Sequence, residues 1–368
     1  MAAGSAASTG RRRRRAPASA GPHPGASGPA EPHPSTHTGA SSMKVVITGG
    51  GGFLGRKLAA ALLNHHALID ARGRPFQPSQ VVCFDAVPFD PPLPSDPRIK
   101  TVVGDLSDAA TVRGLIDADV ASVFHLAAVV SAGAEADFDL GMRVNLDGTR
   151  HVLDACRALP QPAKVVFTSS LAVYGGDLPE TVTDETPITP QTSYGAQKLI
   201  GEYLLTDYSR KGFLDGRALR LPTIVVRPGK PNKAASTFAS SIIREPLQGD
   251  PAICPVSPET RMPILSPRKA VAAFLHVHDL PADALGAHRG ILLNGLAAPV
   301  ADMVKAVERH GGQQAAGRIE WKADPAIQKI VSSWPTAIDA ERARRLGFPV
   351  DRDIDEIVAN FIADDMRR

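Results

Sequence analysis

Three cysteines in 368 residues, Cys83, Cys156 and Cys254, are too few and too scattered for a disulfide framework. They also lack the paired spacing of a zinc site. Neither cysteines nor a zincin pattern lies near His276 and His278, so no metal is expected. Unpaired thiols point to a reducing cytoplasm as the compartment. Long apolar runs are absent as well: none reaches the ~18 residues that a membrane span needs, so no membrane association is expected. Excess charge is missing from the greater part of the chain. The formal net charge is +3, yet residues 1–42 carry Arg11 to Arg15 against the acid Glu31, which leaves −1 for residues 43–368. A nucleic-acid surface is therefore not expected on the folded part.

Residues 1–42 are mostly Ala, Gly, Ser and Pro and cannot bury enough apolar surface to fold. No apolar segment follows the arginines, which speaks against a secretory signal, and repeated prolines oppose the amphipathic helix of a transit peptide. The expectation is a disordered low-complexity tail over 1–42, with Met43 as the natural start. The whole chain is 43% hydrophobic and 21% charged, which fits a soluble globular protein with a real core.

Lys44 to Thr48 reads as a short strand running straight into Gly49-Gly50-Gly51-Gly52-Phe53-Leu54-Gly55, and Arg56 to Asn64 has helical composition. In that context a backbone without side chains can approach a pyrophosphate at a helix N-terminus. Gly49, Gly52, Phe53, Leu54 and Gly55 are thus candidate cofactor contacts. The second strand, Val81 to Phe84, ends in Asp85, an acid placed to accept from an adenosine ribose and to repel a 2′-phosphate, favouring NAD over NADP. Asp85 lies farther from the glycines than usual, and Leu68 to Gln80 reads as an insertion broken by Pro75 and Pro78. The third strand, Ile99 to Val103, ends in Gly104-Asp105-Leu106, with Asp105 placed to accept from the adenine amino group. The fourth, Ala121 to Leu126, leads into Ala127-Ala128-Val129, small residues that let a dinucleotide lie across the sheet edge. His125 reads as a packed strand residue. Ser131 follows as a candidate polyol contact. Phe138 to Leu159 predicts a long helix, with Asn145 in its apolar face, where an amide needs partners.

An apolar run, Lys164 to Phe167, predicts a buried strand ending in Thr168-Ser169-Ser170. Gln191 to Lys211 predicts a helix that sets Tyr194 and Lys198 four apart on one face. A phenol, with a reference pKa near ~10, is a poor base at neutral pH; an ammonium one turn away is expected to lower that value. With a serine hydroxyl to hold the substrate oxygen, the set suits moving a proton on an alcohol or ketone. The sixth strand, Arg217 to Arg227, is interrupted by Pro222. Helices are expected at 236–244, near 300–310, at 337–346 and at 351–366, with a strand at 291–293. The alternation predicts an α/β fold: a Rossmann-type, doubly wound parallel sheet over 43–228. Residues 229–368 then read as mainly a smaller C-terminal α/β substrate-binding subdomain, with some segments returning to the Rossmann domain.

In order, the glycine loop, Asp105-Leu106, Leu126-Ala127-Ala128, Ser169-Ser170-x-x-Val173-Tyr174-Gly175 and Tyr194-x-x-x-Lys198 resemble the extended short-chain dehydrogenase/reductase family over residues 43–366. The resemblance implies an NAD-dependent enzyme with Ser170 as the catalytic hydroxyl, Tyr194 as the acid/base and Lys198 as its partner, bonded also to the nicotinamide ribose. It further implies a homodimer built on the Tyr194 helix and the preceding long helix. Most extended members are nucleotide-sugar epimerases or dehydratases, and this sequence departs from them. Arg220-Leu221-Pro222-Thr223 stands where they carry Arg-x-x-Asn, and Leu171-Ala172 where sugar dehydratases carry an Asp-Glu pair. Arg220 to Asn232, Lys233 to Ser236, Ile243 to Leu247 and Ser266-Pro267-Arg268 resemble instead members that oxidise the 2-hydroxyl of a four-carbon sugar acid with NAD. A small sugar-acid substrate needs a cation for its carboxylate. Arg227, Lys230, Lys233 and, more distant, Arg268 are candidates, with Lys233 favoured and Asn232 adding an amide bond. The rival readings are a nucleotide-sugar 4-epimerase with tightly held NAD, and an NAD-sensing scaffold, although scaffolds typically lose the Tyr or Lys that are both present here.

Overall fold

Short runs of β-branched and aliphatic residues become the strands of one large sheet. A computed structural model of the chain describes residues 43–65, 67–229 and 235–366, so the expected tail lies outside the described residues. The strands that matter here are β1 (Lys44–Thr48), β2 (Gln80–Asp85), β3 (Ile99–Val103), β4 (Val120–His125), β5 (Lys164–Ser170), β6 (Asp215–Leu221), β7 (Thr223–Ile224), β8 (Arg261–Leu265), β9 (Gly290–Leu292) and β10 (Leu296–Pro299). Seven form the large sheet, in the order β9-β6-β5-β4-β1-β2-β3, and every pairing in it is parallel. Val45, Val46 and Ile47 are all fully buried. Both faces of β1 are therefore covered, which is why such strands read as continuous apolar runs instead of alternating ones.

One face of the sheet is covered by α1 (Phe53–Asn64) and α7 (Pro267–Asp279). The other is covered by α2 (Ala109–Leu115), α4 (Gly148–Arg157) and α5 (Ser193–Arg210). Between them in sequence lie α3 (Ser131–Ala136) and, just before α4, a π-helical turn, Met142–Asp147. A second core gathers Val225, Val226, Met262 and Ile264 with α6 (Thr237–Gln248), α8 (Val300–Ala316) and α9 (Ile354–Asp364). Here β8 pairs in parallel with β7 and antiparallel with β10. The order of the large sheet reverses between β4 and β1, and in such sheets ligands bind beyond the carboxyl ends of the strands at that switch point.

Several local expectations are corrected. The expected sixth strand is two strands: Pro222 has no N–H to donate, and there the chain leaves the large sheet for the small one. Pro267–Asp279, given no secondary structure above, is a helix; Ser266 caps it by accepting from the Lys269 N–H, and Pro267 sits in its first turn. The helix expected at 337–346 divides into a strand, Ala337–Asp339, which pairs with Thr181–Thr183, and a short helix, Glu341–Arg345. Helix α6 runs past Pro246 to Gln248 and ends on Gly249 at φ 96°. The insertion after α1 folds as a hairpin, Leu68–Ile69 against Pro75–Phe76. Among the described residues no helix is long and apolar enough to cross a membrane.

Candidate active site

The turn after β1 is tight because its glycines leave no room for anything else. A Cβ on Gly55 would lie 2.2 Å from the Gly49 carbonyl oxygen, and Gly49 itself has φ +71°, backed by the Ala127 amide. The turn delivers the chain to α1 with Gly52 as N-cap and no side chain capping the helix. The first N–H groups of a helix have no intrahelical acceptor, so this end offers donors and a positive dipole to an anion. Asp85, at the end of β2, closes the turn from the other side. One of its oxygens accepts from the Gly51 N–H at 2.9 Å and the other from the Ala86 N–H at 2.8 Å.

These groups line a cavity of about 1000 Å³ that crosses the carboxyl ends of the strands. Gly49, Gly52, Phe53, Leu54, Gly55, Asp85, Asp105, Leu106 and Ala127 all border it. A dinucleotide fits this wall: an uncapped helix end for a pyrophosphate, a carboxylate for ribose hydroxyls, and small residues where the chain crosses the sheet. Ser131, the first residue of α3, Ser170, Tyr194 and Arg227 line the same cavity. Asn232 and Lys233, like Lys230, lie outside the described residues. Arg268 does not border the cavity; it pairs at the surface with Asp364.

Ser170 ends β5, opposite Leu221 of β6, and its Oγ accepts from the Ala172 N–H at 3.1 Å. Tyr194 rises from the first turn of α5, which Thr192 caps by accepting from the Gly195 N–H. Gly195 is obligatory there, since a Cβ would lie 2.0 Å from the Ala172 carbonyl oxygen; that contact seats the helix against the strand end. Lys198, one turn on, is only 2% exposed. Its Nζ stands 4.8 Å from the centre of the Phe167 ring and 5.6 Å from that of Tyr194.

The expected direction of the tyrosine shift is corrected. Burial pushes the Tyr194 phenol up to about 12, and the groups that pull it down are Arg227 and the Ser170 hydroxyl, not Lys198. Burial also lowers the Lys198 ammonium to about 7, with Glu202 opposing. Desolvation disfavours whichever form is charged, so it acts on both partners of the Tyr/Lys pair at once.

Other residues singled out in the sequence have packing roles. His125 is buried between Thr48 Oγ1 at 2.6 Å and Thr149 Oγ1 at 2.9 Å, and burial drives its pKa to about 3. Asn145 spans Val129, accepting from its N–H and donating to its carbonyl, and also donates to Gln197 Oε1. His276 contacts the Leu346 carbonyl, and His278 contacts Ser122 Oγ. Among the described residues no group of three or more acids, histidines and cysteines could hold a metal. The sequence reading missed the far wall of the cavity: Ser236, Ser240, Arg244, Pro263 and Trp334. Ser236, Ser240 and Arg244 recur every four residues, and that spacing was the available signal.

The fold and this wall define an NAD-binding member of a large class of enzymes. The model of the NAD dependent epimerase/dehydratase family matches residues 45–287, and the chain belongs to that family. It is similar to D-erythronate dehydrogenase of Cupriavidus necator, 52% identical over 322 residues, covering 88% of this chain and 98% of the relative. The D-erythronate dehydrogenase of Haemophilus influenzae is 44% identical over 326 residues, covering 88% of this chain and all of the relative. A solved structure described as the nucleoside-diphosphate-sugar epimerase from Agrobacterium tumefaciens superposes with a TM-score of 0.82 at 40% identity, over 88% of this chain and 94% of that one. The chain is an NAD-dependent oxidoreductase, and its cofactor is NAD.

Proposed function

We propose that the protein oxidises the 2-hydroxyl of D-erythronate, or of a close short-chain aldonate, to the 2-keto acid with NAD. The observation that carries this reading is Arg227. Its guanidinium lines the cavity, acts on the Tyr194 phenol, and has no carboxylate partner among the described residues. It is held in place by a bond from Nε to the Ile224 carbonyl at 3.1 Å and from Nη2 to Ser236 Oγ at 3.0 Å. A fixed, unpaired cation beside the base suits a substrate whose carboxylate is one bond from the reacting carbon. The two relatives named for D-erythronate support the same substrate.

In this mechanism Arg227 pairs with the carboxylate and Ser170 positions the C2 hydroxyl. Tyr194, as phenolate, takes the hydroxyl proton, and the C2 hydrogen departs as hydride, leaving a carbonyl. Bound NAD supplies the hydride acceptor and a positive ring that favours the phenolate. Lys198 adds positive charge behind the phenol. The glycine turn, the α1 N-terminus, Asp85, Asp105, Leu106 and Ala127 hold the cofactor. Ser131, Asn232 and Lys233 are further substrate contacts. Orientation of the two carbons contributes more to the rate than the proton transfer, which is worth on the order of 10²–10⁴.

An NADH-formation screen over C4 to C6 aldonates and UDP-sugars tests the reading: D-erythronate should lead, and turnover of a UDP-sugar without net NADH would overturn it. Replacing Arg227 by Met should raise KM for the aldonate at least tenfold, about 1.4 kcal/mol, with NAD affinity unchanged; an unaltered KM would remove Arg227 from the carboxylate.

Two further features belong to this proposal. The protein works as a homodimer: Phe138, Ile200 and Tyr203, at 57%, 39% and 61% exposure, leave an apolar surface on the long helices before and at Tyr194. Light scattering that gives one chain per particle would refute it. The cytoplasm is its compartment, in keeping with three buried free thiols.

A further inference from the structure

Arg220 and Glu202 form a buried ion pair behind the catalytic residues that the mechanism above does not use. Glu202 lies one helical turn after Lys198 on α5, so the two share a face, and it is 3% exposed. Arg220, on β6, reaches it with Nε at 3.0 Å and Nη2 at 2.7 Å, and spends Nη1 on the Tyr174 hydroxyl at 2.9 Å. Glu202 also accepts from Ser169 Oγ at 2.5 Å. Gly290 of β9 walls the carboxylate in, since a Cβ there would lie 2.5 Å from Oε2. Ser169 is the strand neighbour of Ser170, and it pairs in register with Arg220. The cluster therefore joins α5, β5 and β6 at the point where catalytic hydroxyl, phenol and lysine converge.

Lys198 is surrounded by few charges. Tyr194 and Glu202 flank it on its own helix, Phe167 faces it from β5, and buried His125 approaches from β4. Arg220 is turned onto Glu202. Of these groups Glu202 is the carboxylate that opposes loss of the lysine's charge, against a burial that takes it to about 7.

We propose that Glu202 is a positioning residue for the dehydrogenation: its carboxylate, clamped by Arg220 and Ser169, keeps Lys198 protonated beside Tyr194 while fixing the strand end that carries Ser170. The charge acts through space along one turn of helix. The hydrogen bonds keep the carboxylate from turning away. This rests on the Tyr/Lys roles proposed above.

The test separates charge from shape. In the cofactor-free protein, Lys198 is titrated by lysine side-chain NMR, its signal assigned by loss in Lys198→Met. Removing a nearby negative charge lowers the pKa of an ammonium, so Glu202→Gln should lower the midpoint by about one unit, whereas Glu202→Asp should leave it near the parent value. The pH profile of NADH formation should follow. Both limbs should move to lower pH in Glu202→Gln and stay in place in Glu202→Asp, even if its height falls. Should Glu202→Gln not fold, with Arg220 left uncompensated, the double variant Glu202→Gln/Arg220→Met removes both charges and should show a smaller shift in the same direction. A Lys198 midpoint unchanged in Glu202→Gln, or in the double variant where that is the one read, overturns the proposal, as does the same shift in Glu202→Asp. If the parent gives no NADH from any aldonate while the NMR shift is present, the substrate reading fails and the Glu202 role stands.

Discussion

As the proposed base, Tyr194 must be close to ionisation when the substrate binds, yet burial opposes its ionisation. Burial takes the phenol to about 12, while Arg227 and Ser170 pull the other way. In the proposed mechanism the hydroxyl alone carries the chemistry; the ring packs beside Lys198, whose Nζ lies 5.6 Å from its centre. Tyr194→Phe should therefore leave NAD binding, read by fluorescence or calorimetry, within about twofold and lower kcat by at least a factor of about 10². More than a few per cent of residual activity would remove Tyr194 from the base role. The residues in this small space have little freedom. Ser170, Tyr194 and Arg227 come from a strand end, a helix start and the chain just beyond β7, so each is fixed by an element whose place the sheet dictates.

At the scale of elements, β2 and the glycine turn act as one unit because Asp85 joins them. Its carboxylate accepts the Gly51 N–H, so the residue that would bond a ribose also braces the turn that would hold the pyrophosphate. Asp85→Ser keeps a hydroxyl for the ribose but loses the charge that repels a 2′-phosphate. The ratio of kcat/KM for NAD over NADP should fall at least tenfold, chiefly through KM; an unchanged ratio would place cofactor selection elsewhere. These elements were legible in the sequence. β1, the glycine run and α1 are contiguous, and buried parallel strands announce themselves as unbroken Val and Ile. The Tyr194 and Lys198 pair was legible because helical spacing is fixed. Less legible was anything that depends on where separate segments meet. The bias of burial over the lysine's charge cannot be seen in a Tyr-x-x-x-Lys string, because Phe167, which lies nearest the ammonium, comes from β5 and not from the motif. Helix α7 was missed because Ser266-Pro267 reads equally as a turn, and its helical outcome is set by packing on α1 and the large sheet.

At the scale of the whole molecule, two histidines are buried neutral against the large sheet, His125 on β4 and His278 at the end of α7. His125 is lowered to about 3 and His278 to about 4, both by burial. Unfolded, each takes up a proton near pH ~6.5. Above that value neither state is protonated and nothing is lost. Below it the unfolded chain binds protons that the folded chain refuses, so stability falls with falling pH until the folded values are reached. The pair should cost about 4 kcal/mol between pH 7 and pH 5. Denaturant midpoints at the two pH values would measure this, and His278→Gln should recover about half of the loss. Equal stability at both would mean that the rings are not held neutral.

Strand β9 comes from the second half of the chain yet seals one edge of the large sheet against β6. A gene fragment ending near residue 228 would encode every strand of the sheet except that one. It would expose the open backbone of Ala218 and Leu219 to any passing strand. The stretches before and after residue 228 are thus not interchangeable modules. A fusion or shuffling scheme that treats the boundary as a seam would trade away solubility before it reached the cofactor.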